Sequence, residues 1–392
     1  MRALGLDSAR ASDANPAAPG ATRVRDVVHQ SLAMQGQDWR SSRWAVGVRA
    51  PGVTETDVRA ALNQGLVVRS WPMRGTVHLV AAEDIGWLQD LTNPRVLAGA
   101  AKRREFLGMS DAALEQVTEA SLAALSGDAQ HARSGITRDE LSAVWTDAGI
   151  AWKPNWRYHL IWWMCQNGLT TFGPVDEPAA DQGSDPDPRI VLADAWIKNP
   201  RKLTGDDALA ELAARYVGGR GAVTQKDLAS WSGILAADAK RALNLAAESG
   251  AIVPTRRAEV SGAAGALWAD PHHLEAATTS ASPSADWWLL PAFDEHLLGY
   301  NIREPQLGPA LLDRIIPARN GVFLATVVHD GRVVGTWRRG QKRKRSAGEG
   351  RESTALEITA FPNETIDTRA LESEITRLAD FYNLSFSQVT VS

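Results

Sequence analysis

Thr54-Glu55-Thr56-Asp57-Val58-Arg59-Ala60-Ala61-Leu62-Asn63-Gln64-Gly65-Leu66-Val67-Val68-Arg69-Ser70-Trp71-Pro72-Met73-Arg74-Gly75-Thr76-Val77-His78-Leu79-Val80 carries a helix start, a helix stop and a hairpin in one short stretch. Thr54 precedes Asp57 by three residues, close to the capping-box pattern in which a hydroxyl and a carboxylate satisfy each other's backbone N–H groups. Gly65 followed by apolar residues predicts a helix stop, because glycine takes the left-handed position past a helix C-terminus without strain. The runs 66–71 and 75–80 then read as two strands of a hairpin.

The same order of signals returns twice. Thr137 precedes Glu140 and Thr224 precedes Asp227 at the same spacing, and Gly168 and Gly250 follow as helix stops. The strand-like runs after them are 169–172 with 190–193, and 251–255 with 266–269. In the first copy the cap opens the helix that ends at the glycine. In the others it opens the preceding helix, over 139–148 and 226–231. Helix–turn–helix followed by a β-hairpin is the winged-helix plan. The predicted fold class is therefore α+β: three tandem winged-helix units followed by a C-terminal β-rich α+β region. Expected boundaries are a disordered leader at 1–22, units at 23–130, 131–200 and 201–280, and the C-terminal region at 281–392. In that last region 287–300, 322–329 and 332–338 read as β-type, followed by a helix near 368–382 and a final strand. The second wing, 173–189, is acidic and proline-rich, so it is not expected to press on phosphate. Winged helices serve DNA binding and protein contact alike, and the pattern alone leaves both open.

Composition narrows the classes. The chain has 392 residues, a formal net charge of −4, 44% hydrophobic and 22% charged residues, as an ordinary globular protein does. The 15 tryptophans read first as core residues. One cysteine, Cys165, excludes an internal disulfide framework and suits a reducing compartment. No apolar run reaches the roughly 18 residues of a membrane helix. A cytoplasmic monomer is expected, with no cysteine cluster, P-loop or dinucleotide fingerprint, hence no metal and no cofactor. Cations are concentrated at one place. Arg338, Arg339, Lys342, Arg343, Lys344, Arg345 and Arg351 against Glu349 give a local net charge of +6. A run of this kind after a strand reads as a hairpin tip that grips DNA phosphates. Arg23, Arg25, Lys102, Arg103 and Arg104 would extend that surface.

Three segments carry a resemblance. They are Leu32-Ala33-Met34-Gln35-Gly36-Gln37-Asp38 with Trp44–Arg49, then Met73–Val80, then Leu290–Tyr300 with Gly331–Arg338. In order and spacing they resemble the AlkZ-like winged-helix DNA glycosylases, which include enzymes that unhook antibiotic-derived adducts and interstrand crosslinks. The resemblance spans roughly Arg23 to Arg338. It implies that the family's Gln-x-Gln signature falls on Gln35 and Gln37 as catalytic residues. Gly36 in the middle is a departure from the usual small or aliphatic residue, expected to leave the backbone looser. Asp38 is a secondary candidate as water activator.

A glutamine pair suits one kind of glycosidic hydrolysis. An N7- or N3-alkylated purine already carries positive charge and leaves as a neutral base, so a strong general acid is unnecessary. What remains is to hold a water near C1′ and favour the oxocarbenium-like sugar, which an amide can do by accepting from the water and donating elsewhere. No lysine nucleophile is implied. The expected function is a monofunctional glycosylase acting on bulky alkylated purines in duplex DNA, in DNA repair or self-resistance. The alternatives are a non-catalytic winged-helix DNA-binding regulator and a protein-interaction scaffold. Arg74 and His78, four apart, are expected on one face of a wing strand, meeting phosphate or tying the wing to its own unit. The carboxylates of Asp294 and Glu295 are expected to be structural, pairing with Arg303 or nearby backbone.

Overall fold

The computed structural model describes residues 1–6, 17–127, 129–177, 185–255, 266–279, 286–317, 320–340 and 352–392. The three sequence signals form as read. Thr54, Thr137 and Thr224 each close a reciprocal capping box on the helices Glu55–Asn63, Arg138–Asp147 and Gln225–Ser232. Each such cap contributes about 1 kcal/mol. Gly65, Gly168 and Gly250 take φ of 67°, 68° and 77°, each after a helix end, and a hairpin follows each of them.

Thirteen strands are assigned among the described residues: β1 Met34–Gln35, β2 Val67–Met73, β3 Thr76–Ala81, β4 Thr170–Phe172, β5 Ile190–Leu192, β6 Val223–Thr224, β7 Val253–Thr255, β8 Leu267–Ala269, β9 Trp287–Leu290, β10 Thr326–His329, β11 Arg332–Arg339, β12 Glu352–Ala360 and β13 Leu384–Val391. They form three sheets, ordered β1-β3-β2-β4-β5, β6-β8-β7 and β13-β12-β11-β10-β9. The result is a mixed α+β architecture. The first two hairpins do not stay apart. Arg69 of β2 pairs with Phe172 of β4, so one sheet crosses the boundary expected at 130. β12, which the sequence reading passes over, pairs antiparallel with β11 and parallel with β13.

The β2–β3 hairpin is the centre of the molecule. All seven residues of β2 are buried, as in a strand covered on both faces, where an apolar run replaces alternation. Val67 and Leu79 enter one core with the C-terminal region. Val68, Met73 and Val80 enter a second with the helices after residue 205. Trp71 and Val77 enter a third with the helices between 107 and 166. At about 1.5–3 kcal/mol per fully buried large apolar side chain, this hairpin fixes the three bodies to one another.

Four expectations need correction. Leu4 and Leu6 are buried in the first core and Leu4 O accepts from Arg49 Nε at 2.8 Å, so residues 1–6 are not a loose leader; residues 7–16 lie outside the described set. Arg74 and His78 do not share a strand face. Arg74 and Gly75 have φ of 54° and 67° and make the two-residue turn, in the conformation that best matches strand twist. Phe293-Asp294-Glu295 is not a strand either: Phe293 takes φ 60° and Asp294 caps the short helix Glu295–Leu298. Asp294 pairs with Arg49 at 2.8 Å and Glu295 with Arg220 at 2.6 Å; Arg303 instead donates from Nε to Leu297 O at 2.7 Å.

Candidate active site

Gln35 ends β1, an edge strand whose residues Met34 and Gln35 face Leu79 and His78 of β3. Gly36 and Gln37 cross from that edge to the helix Trp39–Gly47, capped by Asp38, whose Oδ1 accepts from Ser41 N at 2.7 Å. The motif therefore lies between a pinned strand and a pinned helix. Gln35 is 6% exposed and Gln37 is exposed. Their side chains meet: Gln35 Oε1 accepts from Gln37 N at 2.9 Å and Gln35 Nε2 donates to Gln37 Oε1. Each amide keeps unused capacity, since an amide oxygen has two lone pairs and an NH2 two protons. Gln37 presents its share to solvent.

Gly36 is not loose. Its N–H donates to Val77 O at 2.8 Å and its carbonyl accepts from Arg69 Nε at 2.9 Å. A Cβ there would sit 3.1 Å from His78 Cα and C, so the close approach of the strands leaves little room for a side chain. Asp38 is engaged as a helix cap, which gives its carboxylate a structural task whether or not it also meets water.

His78 is fully buried, its Nδ1 2.9 Å from Thr76 O and its Nε2 without a partner. Burial pushes its pKa down to about 3, with Arg74 adding to the effect. It is a neutral internal group with no exposed surface. Arg74 is exposed at the hairpin tip, its stem against Gly233 in the turn after the helix Gln225–Ser232. The basic segment follows β11, which pairs antiparallel with β12. Arg338 pairs with Glu357 opposite it at 2.6 Å, and Arg339 lies 4.6 Å over the Tyr382 ring. Lys342, Arg343, Lys344 and Arg345 fall outside the described residues. Cys165 is buried, which pushes its thiol up to about 12 and removes it from nucleophilic chemistry.

Beside the glutamines stands a group of arginines that the sequence reading does not single out. The Arg43 and Arg69 guanidiniums lie 4.7 and 5.7 Å from the Trp39 ring. Arg69 and Arg138 lie 5.8 and 5.1 Å from Phe172. Burial pulls Arg69 down to about 10, still protonated at neutral pH. A charge inside the apolar run Leu66-Val67-Val68-Arg69-Ser70-Trp71 is the signal available, since a buried cation must be paired.

Comparison with known proteins assigns the family. The DNA glycosylase AlkZ-like family profile matches residues 28–381. The chain belongs to the AlkZ-like DNA glycosylase family. It is also similar to an interstrand DNA cross-link repair glycosylase of Streptomyces sahachiroi, 24% identical over 370 residues, covering 90% of this chain and 89% of that protein. Among solved structures it resembles the Streptomyces sahachiroi DNA glycosylase AlkZ, with a TM-score of 0.70 at 20% identity over 100% of this chain and 98% of that one. At that identity the likeness speaks for a shared AlkZ-type fold. No helix among the described residues is long and apolar enough to cross a membrane.

Proposed function

We propose that this AlkZ-like chain is a monofunctional DNA glycosylase that hydrolyses the N-glycosidic bond of bulky N7- or N3-alkylated purines in duplex DNA, crosslinked purines included. The three capped-helix and hairpin units are read as winged helices that clasp the duplex, with Arg74, Arg338, Arg339, Lys342, Arg343, Lys344 and Arg345 meeting phosphates. A cytoplasmic monomer without metal or cofactor suffices for this chemistry.

The observation that carries the reading is the coupled Gln35–Gln37 amide pair, one partner shielded and the other open to solvent, held rigid at both ends. Gln37 would accept a hydrogen bond from a water beside the sugar, and Gln35 would hold Gln37 in place. The water oxygen bonds to C1′ as the C1′–N9 bond breaks, and its electron pair neutralises the cationic purine. The water's surplus proton passes to solvent. Fixing the water relieves much of the entropic barrier, an effect worth several kcal/mol. Distortion at a bulky adduct lowers the cost of exposing the sugar. A carboxylate base is not needed, because the leaving group is already activated.

Incubation with a panel of duplexes carrying N7- or N3-alkylpurines tests the proposal. Base release with abasic sites that alkali cleaves supports it, and strand cleavage without alkali would argue for lyase chemistry instead. Tight binding to one undamaged sequence with no base release would favour a regulator.

A further inference from the structure

Asp185 and Asp187, in the described end of the acidic second wing, lie on the arginines beside the glutamine motif. Asp185 contacts Arg43 through both carboxylate oxygens, the longer contact being 3.4 Å to Nη1, and lies 2.5 Å from Arg59 Nη2. Asp187 lies 3.8 Å from Arg69 Nη1 and 3.4 Å from Arg138 Nη1. Glu55 shares Arg43 and Arg59 with Asp185, at 2.8 Å from Arg59. The side chains of Arg43, Arg59 and Arg69 are 0%, 3% and 6% exposed. Without Asp185 and Asp187, four guanidiniums would face one carboxylate, a local charge of +3.

Two features mark this as a replaceable cover rather than an ordinary buried network. First, Arg69 Nη1, Arg138 Nε and Trp39 Nε1 are buried without a hydrogen-bond partner. A settled ion-pair network would satisfy them. Secondly, the segment Asp185-Pro186-Asp187-Pro188 meets the arginines through its two carboxylates, while its far end is fixed by buried Pro188 and by Arg189, whose N–H donates to Pro174 O at 2.6 Å. Among the described residues its backbone makes no hydrogen bond, and its prolines have no N–H to offer a sheet. The near end of the wing is anchored differently, by Val175 N to Asn63 Oδ1 at 2.8 Å and Arg59 Nη1 to Asp176 O at 3.2 Å. The contacts of Asp185 and Asp187 with the arginines are ionic, so a competing anion can take them while Pro188 and Arg189 stay in place.

We infer that Arg43, Arg59, Arg69 and Arg138 form a binding site for a phosphodiester of the DNA strand, which Asp185 and Asp187 occupy until DNA displaces them. Carboxylate and phosphodiester offer the same pair of oxygens to a guanidinium fork, and a phosphodiester adds acceptor capacity for the three unsatisfied donors. Arg69 also holds the Gly36 carbonyl between the two glutamines. A phosphate seated here places the strand next to Gln37, and the wing sets a threshold against undamaged DNA. This rests on the glycosylase reading of the chain as a DNA-binding enzyme.

The test is fluorescence anisotropy with a short undamaged duplex at low salt. Asp185→Asn with Asp187→Asn is expected to bind about tenfold tighter than wild type, and Arg69→Gln added to that pair to return the affinity to wild type or below. Asp187→Asn alone, at a half-exposed residue, is expected to tighten binding about threefold. Asp185→Glu with Asp187→Glu keeps the charge and the wild-type affinity. If wild type binds and the Asn variants do not tighten, the carboxylates are structural and the inference falls alone. If no variant binds the duplex at low salt, the DNA-enzyme reading falls with it.

Discussion

Replacing Asp294 by Ala should be among the most damaging single changes in the chain. The Arg49 and Asp294 side chains are 2% and 4% exposed and joined by two 2.8 Å hydrogen bonds, Nη1 to Oδ2 and Nη2 to Oδ1. Burial pushes the Asp294 carboxyl up, but the Arg49 charge and hydrogen bonds outweigh it and leave its pKa below the usual range. Asp294 Oδ1 also accepts from His296 N at 2.9 Å as the cap of the helix Glu295–Leu298. Alanine strands a buried guanidinium, at about 3–5 kcal/mol, and removes a cap, at about 1 kcal/mol. The expected loss is about 4–6 kcal/mol, a large share of the ~5–15 kcal/mol of a typical domain. Asp294→Asn keeps a cap acceptor and should lose about 1 kcal/mol less. The double variant Arg49→Met with Asp294→Leu removes both charges and should recover most of the loss. Urea unfolding followed by tryptophan fluorescence measures all three. A loss below about 2 kcal/mol for Asp294→Ala would show that water reaches Arg49 and that the pair is not the buried clasp described.

The fully buried His78 and His296 have pKa values lowered to about 3 and about 4 by burial. The unfolded chain, with histidines near 6.5, binds more protons below that pH, so stability is kept above it and falls as pH drops. The two together cost about 4 kcal/mol between pH 7 and pH 5; denaturation midpoints across that range check it, and a flat profile would contradict the burial. Gly36→Ala should lose about 1–3 kcal/mol through crowding against His78 and slow base release with it; an unchanged urea midpoint would show that β1 yields freely. Glutamine at Lys342, Arg343, Lys344 and Arg345 should lower the slope of log K against log salt by about 0.9 for each phosphate that the basic segment ceases to neutralise, while release from saturated complexes changes little. An unchanged slope would take the basic segment off the DNA.

How much of this is legible in the sequence follows from the range of the forces involved. Capping boxes and helix-ending glycines act within four residues, so Thr54, Thr137, Thr224, Gly65, Gly168 and Gly250 can be read directly. Partners far apart in the chain cannot. Nothing near Arg49 or Arg220 names Asp294 or Glu295 as its counter-ion, and the join of β2 to β4 rests on one pairing between residues 69 and 172. Arg74 is misplaced by sequence reasoning because an Arg-Gly turn and a strand continuation look alike until both φ angles are known. Within the site, the glutamines are readable only through the family resemblance. The arginines around them leave a local trace, a cation in an apolar strand, whose meaning depends on a wing over a hundred residues away. The acidity of that wing points, in the sequence, to avoidance of phosphate; its Asp185 and Asp187 lie on the arginines.

The central claim is that the Gln35–Gln37 pair steers water onto the sugar, and single-turnover release of N7-alkylguanine from duplex DNA tests it most directly. Gln35→Ala and Gln37→Ala should each bind the damaged duplex with near wild-type affinity and release base about a hundredfold more slowly, the scale of misplacing one reactant. Release at the wild-type rate by both variants, with binding intact, would contradict the account.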